Sequence, residues 1–283
     1  SIFYVIGPNG GLRKTEALGI VTSMGPLKAR SQTREDRLTL LRLRGIGKEF
    51  GAIRALAEID LTVAAGEVVG LMGDNGAGKS TLVKIIAGNF PPSHGTMIFD
   101  DQPVHFSRPI DARSVGIEVV YQDLALADNL TAAANVFLGR ELKRRLGPVT
   151  VLDHAAMNRR AAALFQELKS ETRADDLVRQ MSGGQRQAVA IARTRLKEAK
   201  LVLMDEPTAA ISVRQVAEVL DLIRRLRDAG IAVILISHRM PDVFTVCDRV
   251  VVLRRGSKVA DKPIQSSSPE EVTALITGAK EAA

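Results

Sequence analysis

The chain has 283 residues, 46% of them hydrophobic, only 4% aromatic, with no Trp, one Cys and a net charge of +7. That is length for one large domain or two modest lobes, with an aliphatic core of the kind found in a parallel sheet covered by helices. A lone Cys247 excludes a disulfide framework or a cysteine metal cluster and reads as a small buried residue. His94, His105, His154 and His238 are scattered without ligand spacing. No run of about 18 apolar residues exists to span a bilayer, and residues 2–6 are too short even for a signal-peptide core. A cytosolic compartment is expected, with any membrane role peripheral. The basic balance favours anionic partners, whether nucleotide, nucleic acid or an anionic leaflet, and equally fits a solvated basic surface.

Residues 1–37, with Gly-Pro and charged stretches, read as a poorly ordered extension, and the start at Ser1 as a processed or differently started polypeptide. Residues 38–44 predict a strand, 48–51 a turn and 59–63 a second, alternating strand. Phe50 then falls in a loop, where an aromatic ring either stacks on a nucleotide base or packs beside the strands.

Residues 68–72 are an apolar strand, and Leu82-Val83-Lys84-Ile85-Ile86 continues with helical spacing. Between them stands Gly73-Asp74-Asn75-Gly76-Ala77-Gly78-Lys79-Ser80-Thr81. Strand, glycine loop and helix is the context in which this pattern reads as a P-loop. Glycines let successive N–H groups turn inward around a phosphate at the positive end of the helix. Lys79 then reaches the β- and γ-phosphates, and Ser80 offers a hydroxyl to Mg²⁺.

Farther on, 96–99 and 116–121 predict strands, the second ending at Gln122, placed to touch Mg²⁺ or an attacking water. Residues 124–195 read as a helical subdomain inserted in the α/β core, with 148–150 the sole strand candidate; Thr131 and Asp153 serve as caps. Within it, Ser182 caps a helix behind Met181, and Gly183, Gly184 and Gln185 leave first-turn N–H groups uncovered. That is an anion-binding helix start, or simply a loop joined to a helix.

Residues 201–206 form a fully apolar strand ending in two acids: Asp205 can hold Mg²⁺ and Glu206 can orient, or take a proton from, the attacking water. The alternative is a solvated turn. Residues 213–229 predict an amphipathic helix and 231–236 another buried strand, ending next to His238, within reach of a γ-phosphate. A hairpin around Arg255-Gly256 and a last helix after Ser268 complete the order.

Taken together, from Phe50 to about Ile276, these motifs resemble the ATP-binding subunit of an ABC transporter. Gly73–Thr81 corresponds to Walker A, Gln122 to the Q-loop, Met181–Gln185 to the signature, Leu201–Glu206 to Walker B and His238 to the H-loop. The resemblance implies an α/β fold: a P-loop NTPase (RecA-like) core with an N-terminal antiparallel β subdomain and the inserted helical subdomain, over residues 38–283. It implies that two subunits sandwich two ATP molecules head to tail, each with Mg²⁺, the P-loop of one chain facing Ser182 and the glycines of the other. Phe50 matches the base-stacking position.

Stretches 109–112, 116–126, 135–141 and 236–240 are similar to importers of ribose, xylose or fructose. For that group the implied partners are a second copy or a similar ATPase subunit, a multi-spanning permease, and through it a periplasmic or extracellular sugar-binding protein. The expected location is peripheral, on the cytoplasmic face of the cell membrane. Two departures stand out: Met181 replaces the usual Leu, and Ser212 stands where an Asp is usual. The competing reading is a soluble ABC ATPase acting on nucleic acid or ribosomes; the lack of coiled-coil arms or aromatic-interleaved basic stripes speaks against it, so no nucleic-acid partner is expected.

Overall fold

A computed structural model describes residues 3–6, 12–15, 39–120, 124–168, 170–196, 199–209 and 211–280. The chain divides into two compact units, Ser1–Asp36 and Arg37–Ala283. In the first, β1 (Phe3–Ile6) and β2 (Leu12–Thr15) pair antiparallel, an element that the sequence of this segment did not suggest.

The second unit is built on a six-stranded sheet. Five strands run parallel in the order β13 (Arg249–Arg254), β5 (Val68–Met72), β12 (Ala232–Ile236), β11 (Leu201–Asp205) and β8 (Ile117–Val120), and β14 (Ser257–Pro263) pairs antiparallel on the β13 edge. The central strands are apolar without interruption because both faces are covered. Alternate residues divide between two cores. Val69, Leu71, Leu201, Leu203, Ile234 and Ile236 face one, with α1 (Lys79–Ile86) and the antiparallel sheet. Val68, Met72, Val202, Met204, Val233 and Leu235 face the other, with α6 (Val213–Asp228), α7 (Met240–Val246) and α8 (Pro269–Thr277). The carboxyl ends of β5, β11 and β12 consequently meet at one edge, and that edge carries the site.

The antiparallel sheet has the order β4-β3-β6-β7, with β3 (Thr39–Phe50), β4 (Ile53–Ala64), β6 (His94–Phe99) and β7 (Gln102–Val104). Here the structure corrects the sequence-based expectation. Both β3 and β4 are twelve residues long, so Phe50 ends a strand instead of sitting in a loop. Register shifts between Leu43 and Ile46 and again before Lys48 break the alternation, with Gly45 at φ +57° and its N–H donating to Asp60. Bulges of this kind hide a long strand from a period-two pattern.

The short α2 (Pro109–Ser114) precedes β8. Residues 124–196 contain α3 (Ala132–Val136), α4 (His154–Glu167) and α5 (Gly183–Thr194), packed around Val136, Phe137, Leu164, Phe165 and Val189. The caps act as expected, Thr131 accepting from the Ala134 N–H and Asp153 from the Ala156 N–H. Between α3 and α4, however, lies a β-hairpin, β9 (Lys143–Leu146) and β10 (Val149–Leu152), where only 148–150 suggested a strand. Gly147 at φ +61° and Pro148 make its turn.

Candidate functional site

The glycine loop leaves the carboxyl end of β5 and enters α1. Gly73 has φ +152° and Gly78 has φ +103°. A Cβ on Gly73 would collide with the Leu253 carbonyl, and one on Gly78 would lie 2.6 Å from Leu56 and 3.0 Å from the Ala55 carbonyl oxygen. Both positions therefore require glycine. From outside, the turn between β13 and β14 clamps the loop, the Gly256 N–H donating to the Ala77 carbonyl at 3.1 Å. Inside it, Ala77 N–H donates to the Asp74 carbonyl and Asn75 N–H to the Asp74 carboxylate. Lys79 is buried at the start of α1, and its Nζ donates to the carbonyls of Gly73 (2.7 Å) and Asp74 (3.0 Å). Burial lowers its pKa, opposed by the nearby carboxylates of Glu206, Asp74 and Asp205. Ser80 and Thr81 follow on the first turn of the helix, Ser80 exposed.

Asp205 is the last residue of β11, and its carboxyl is raised by burial, with Lys79 and Lys84 pulling the other way. Glu206 follows at φ +51°, a strained conformation for a residue with a Cβ, held by its N–H bonding to the Ile236 carbonyl. Its carboxyl is likewise raised by burial, opposed first by His238. The His238 ring nitrogen Nε2 lies 3.1 Å from Glu206 Oε1 without the alignment of a hydrogen bond, and among the described residues this buried oxygen has no other hydrogen-bond partner. A buried acceptor left open beside a phosphate loop is placed for a water that the loop's ligand would bring. The structure thus gathers Lys79, Asp205, Glu206 and His238 at one edge of the sheet.

Ser182 stands elsewhere. It caps α5 through a closed capping box: its Oγ accepts from the Gln185 N–H, and Gln185 Oε1 accepts from the Ser182 N–H. Ser182, Gly184 and Gln185 line a cleft of about 520 Å³ with Ser212, Gln215 and Glu218 of the α6 start. Asp74, Asn75, Gly76 and Ala77 line a different cleft, of about 440 Å³, with Arg254, Arg255 and the end of α8. Gln122 falls outside the described residues.

Phe50 is 47% exposed and meets Phe90 edge-on, with ring centroids 5.4 Å apart. Lys48 Nζ sits 5.2 Å and 4.9 Å from the two ring centres and donates to the Pro91 carbonyl. The ring is partly packed and partly open, so neither sequence alternative displaces the other. Sequence reasoning missed Phe90 and Lys48, because their partnership depends on the bulged register of β3. It also missed Gln187, a buried polar residue whose Nε2 donates to the Pro207 carbonyl, and Thr208, which bonds Asp242 at 2.6 Å. Only the polar side chains inside otherwise apolar runs hinted at these ties.

The described residues hold no cluster of three His, Cys, Asp or Glu able to bind a metal alone. Ser80 and Asp205 fit Mg²⁺ as two protein oxygens, the remainder of its shell coming from phosphate and water. No described helix is long and apolar enough to cross a membrane.

Residues 56–209 match the family model described as ABC transporter. The chain is 43% identical to the xylose/arabinose import ATP-binding protein XylG of Sulfolobus acidocaldarius, over 84% of this chain and 94% of that protein. It is 41% identical to the fructose import ATP-binding protein FrcA of Rhizobium meliloti, covering 86% and 95% of the two chains. It is also 41% identical to the ribose import ATP-binding protein RbsA 1 of Streptomyces coelicolor, but spans only 47% of its length. Among solved structures, the ADP conformation of an ATP-binding cassette of an ABC transporter superposes with a TM-score of 0.70 at 25% identity, covering 85% of this chain and 95% of that one. A dimeric, post-hydrolysis cassette bound to ADP and Pi gives 0.65 at 26% identity, covering 81% and 100%.

Proposed function

This chain belongs to the ABC transporter family, and we propose that it is the ATP-hydrolysing subunit of an importer that takes up a monosaccharide through a separate permease. The observation that carries the reading is the gathering of Lys79, Asp205, Glu206 and His238 at one edge of the sheet, with Lys79 on the glycine-loop carbonyls. Lys79 exchanges its two backbone carbonyls for phosphate oxygens, and its charge offsets the negative charge there. Ser80, Asp205 and Gln122 would hold Mg²⁺, which would supply positive charge against the phosphates. Glu206 orients the water and accepts its proton, for which it must be deprotonated. His238, 53% exposed, faces the γ-phosphate position as a clamp. Phe50 stacks on the adenine.

Ser182 with Gly183, Gly184 and Gln185 closes the site of a partner, either a second copy or a similar subunit. The dimeric cassette among the solved structures supports this arrangement. The permease spans the membrane, a sugar-binding protein delivers to it, and this chain sits peripherally on the cytoplasmic face. The sugar class is drawn from the xylose/arabinose, fructose and ribose relatives. The domain organisation proposed with this function is an extension over 1–37 and one ATP-binding domain over 38–283. The test is ATPase activity of the purified chain with and without its permease in vesicles. Stimulation by the permease is expected; stimulation by DNA or RNA, with no permease effect, would overturn the importer reading.

A further inference from the structure

The segment Gly139-Arg140-Glu141, similar to the sugar-importer group, has no part in the chemistry above, yet the structure gives all three residues a task. Gly139 takes φ +75°, and its N–H donates to Glu141 Oε1 at 2.8 Å, which fixes the loop after α3. The loop presents Arg140, whose side chain is only 17% exposed. One guanidinium nitrogen bonds both oxygens of the buried Glu118 on β8, at 2.7 and 3.0 Å. Another donates to the Arg193 carbonyl in the last turn of α5, at 3.3 Å. That carbonyl is one of those the helix cannot satisfy itself. Arg113 and Arg193 add favourable charge near Glu118, while Arg140 makes the direct ion pair with it.

We propose that Arg140 is a positioning residue: it ties the far end of α5 to strand β8, and so sets the direction in which the helix presents Ser182. The inference rests on the shared-site reading of Ser182 given above. Gln187 pins α5 near its start, through Pro207 in the turn that follows the two acids. A second point is needed to fix a direction, and Arg140 supplies it. Ser182 lies five residues, about 7.5 Å, from the Gln187 anchor, so a tilt of roughly 8° about that anchor moves it by about 1 Å. Misplacement on the order of 1 Å can cost about 100-fold in rate.

The test compares Arg140→Ala, Arg140→Lys and Glu118→Gln with the parent and Glu206→Gln, measuring nucleotide affinity of the monomer, kcat, KM and melting temperature. For Arg140→Ala the monomer's affinity and the KM are expected to stay near parental, while kcat falls roughly 10- to 100-fold. Arg140→Lys should recover part of the loss, because an ammonium group reaches Glu118 or the Arg193 carbonyl but not both. If Arg140→Ala does not fold, Glu118→Gln decides: folded protein with parental affinity and reduced kcat supports the inference. Parental kcat in folded Arg140→Ala, or in folded Glu118→Gln where the first does not fold, overturns it. So does a kcat loss that only follows the folded fraction. A parent no faster than Glu206→Gln would instead remove the ATPase reading itself, and this inference with it.

Discussion

Two places in this chain are proposed to meet phosphate, and they differ in what surrounds them. The P-loop is enclosed by its own chain: β5 behind, α1 ahead, the Gly256 turn outside, and Lys79 folded onto the carbonyls of Gly73 and Asp74. Two carboxylates and an imidazole stand beside it. The Ser182 end of α5 offers a capped helix start and two glycines, in a cleft lined by Gln215 and Glu218 of α6 and by Arg214 and Arg225. On the proposed reading the first half-site carries the catalytic groups, and the second offers the backbone donors of a helix start. Donors without chemistry are useful when a second chain supplies the rest.

The largest effect expected from disturbing the first half-site is that of Glu206→Gln. Removing the base should lower kcat roughly 100- to 10,000-fold, while ATP binding and ATP-dependent dimerisation persist in light scattering. Because burial disfavours the charged carboxylate and a neutral amide escapes that cost, the melting temperature should also rise.

A pH profile sharpens the point. Burial raises the folded-state pKa of Glu206 above its ordinary value. The folded state therefore holds the proton more tightly than the unfolded chain, and the stability this linkage contributes is present at low pH and lost as pH rises through the raised pKa. Activity runs the opposite way, since the base works only when deprotonated: kcat/KM, which reports the free enzyme, should fall on acidification at a pH above the ordinary carboxyl range. The same titration on residual Glu206→Gln turnover should lack that limb.

The smallest effect is expected at Phe50. Losing an aromatic contact worth about 0.5–1.5 kcal/mol should weaken ATP binding roughly 2- to 12-fold in Phe50→Ala, with kcat unchanged. An equal loss for GTP would confirm that the ring reads a π-face and not a base edge.

The two half-sites were legible in the sequence to different degrees. Gly73 to Thr81 and Leu201 to Glu206 are local: each is a strand followed directly by its functional residues, so contiguous letters carry the geometry. The covered strands were equally plain, because burial on both faces leaves an unbroken apolar run. What escaped depends on distant pairs. The twelve-residue β3 was obscured by its bulges, which moved Phe50 from a loop to a strand end and hid its meeting with Phe90. The hairpin 143–152 opens with three consecutive cations, Lys143, Arg144 and Arg145, and leaves Leu146, Val149 and Leu152 exposed, so it shows no clean period-two pattern. Arg140 and Glu118 lie 22 positions apart, and no local pattern pairs them.

The central claim, that each site is shared between two chains, is tested most directly by mixing two inactive proteins. Lys79→Ala disables the P-loop. Gly184→Asp puts a carboxylate at the start of α5, where even a Cβ would lie 3.0 Å from Glu218 Oε2. In a mixed dimer one site collects both lesions, while the other keeps an intact Lys79 and an intact Gly184. Neither mutant alone should occlude ATP in single-turnover conditions, and the mixture should occlude one ATP per mixed dimer. A mixture that forms mixed dimers but occludes no more than either mutant by itself would contradict the account.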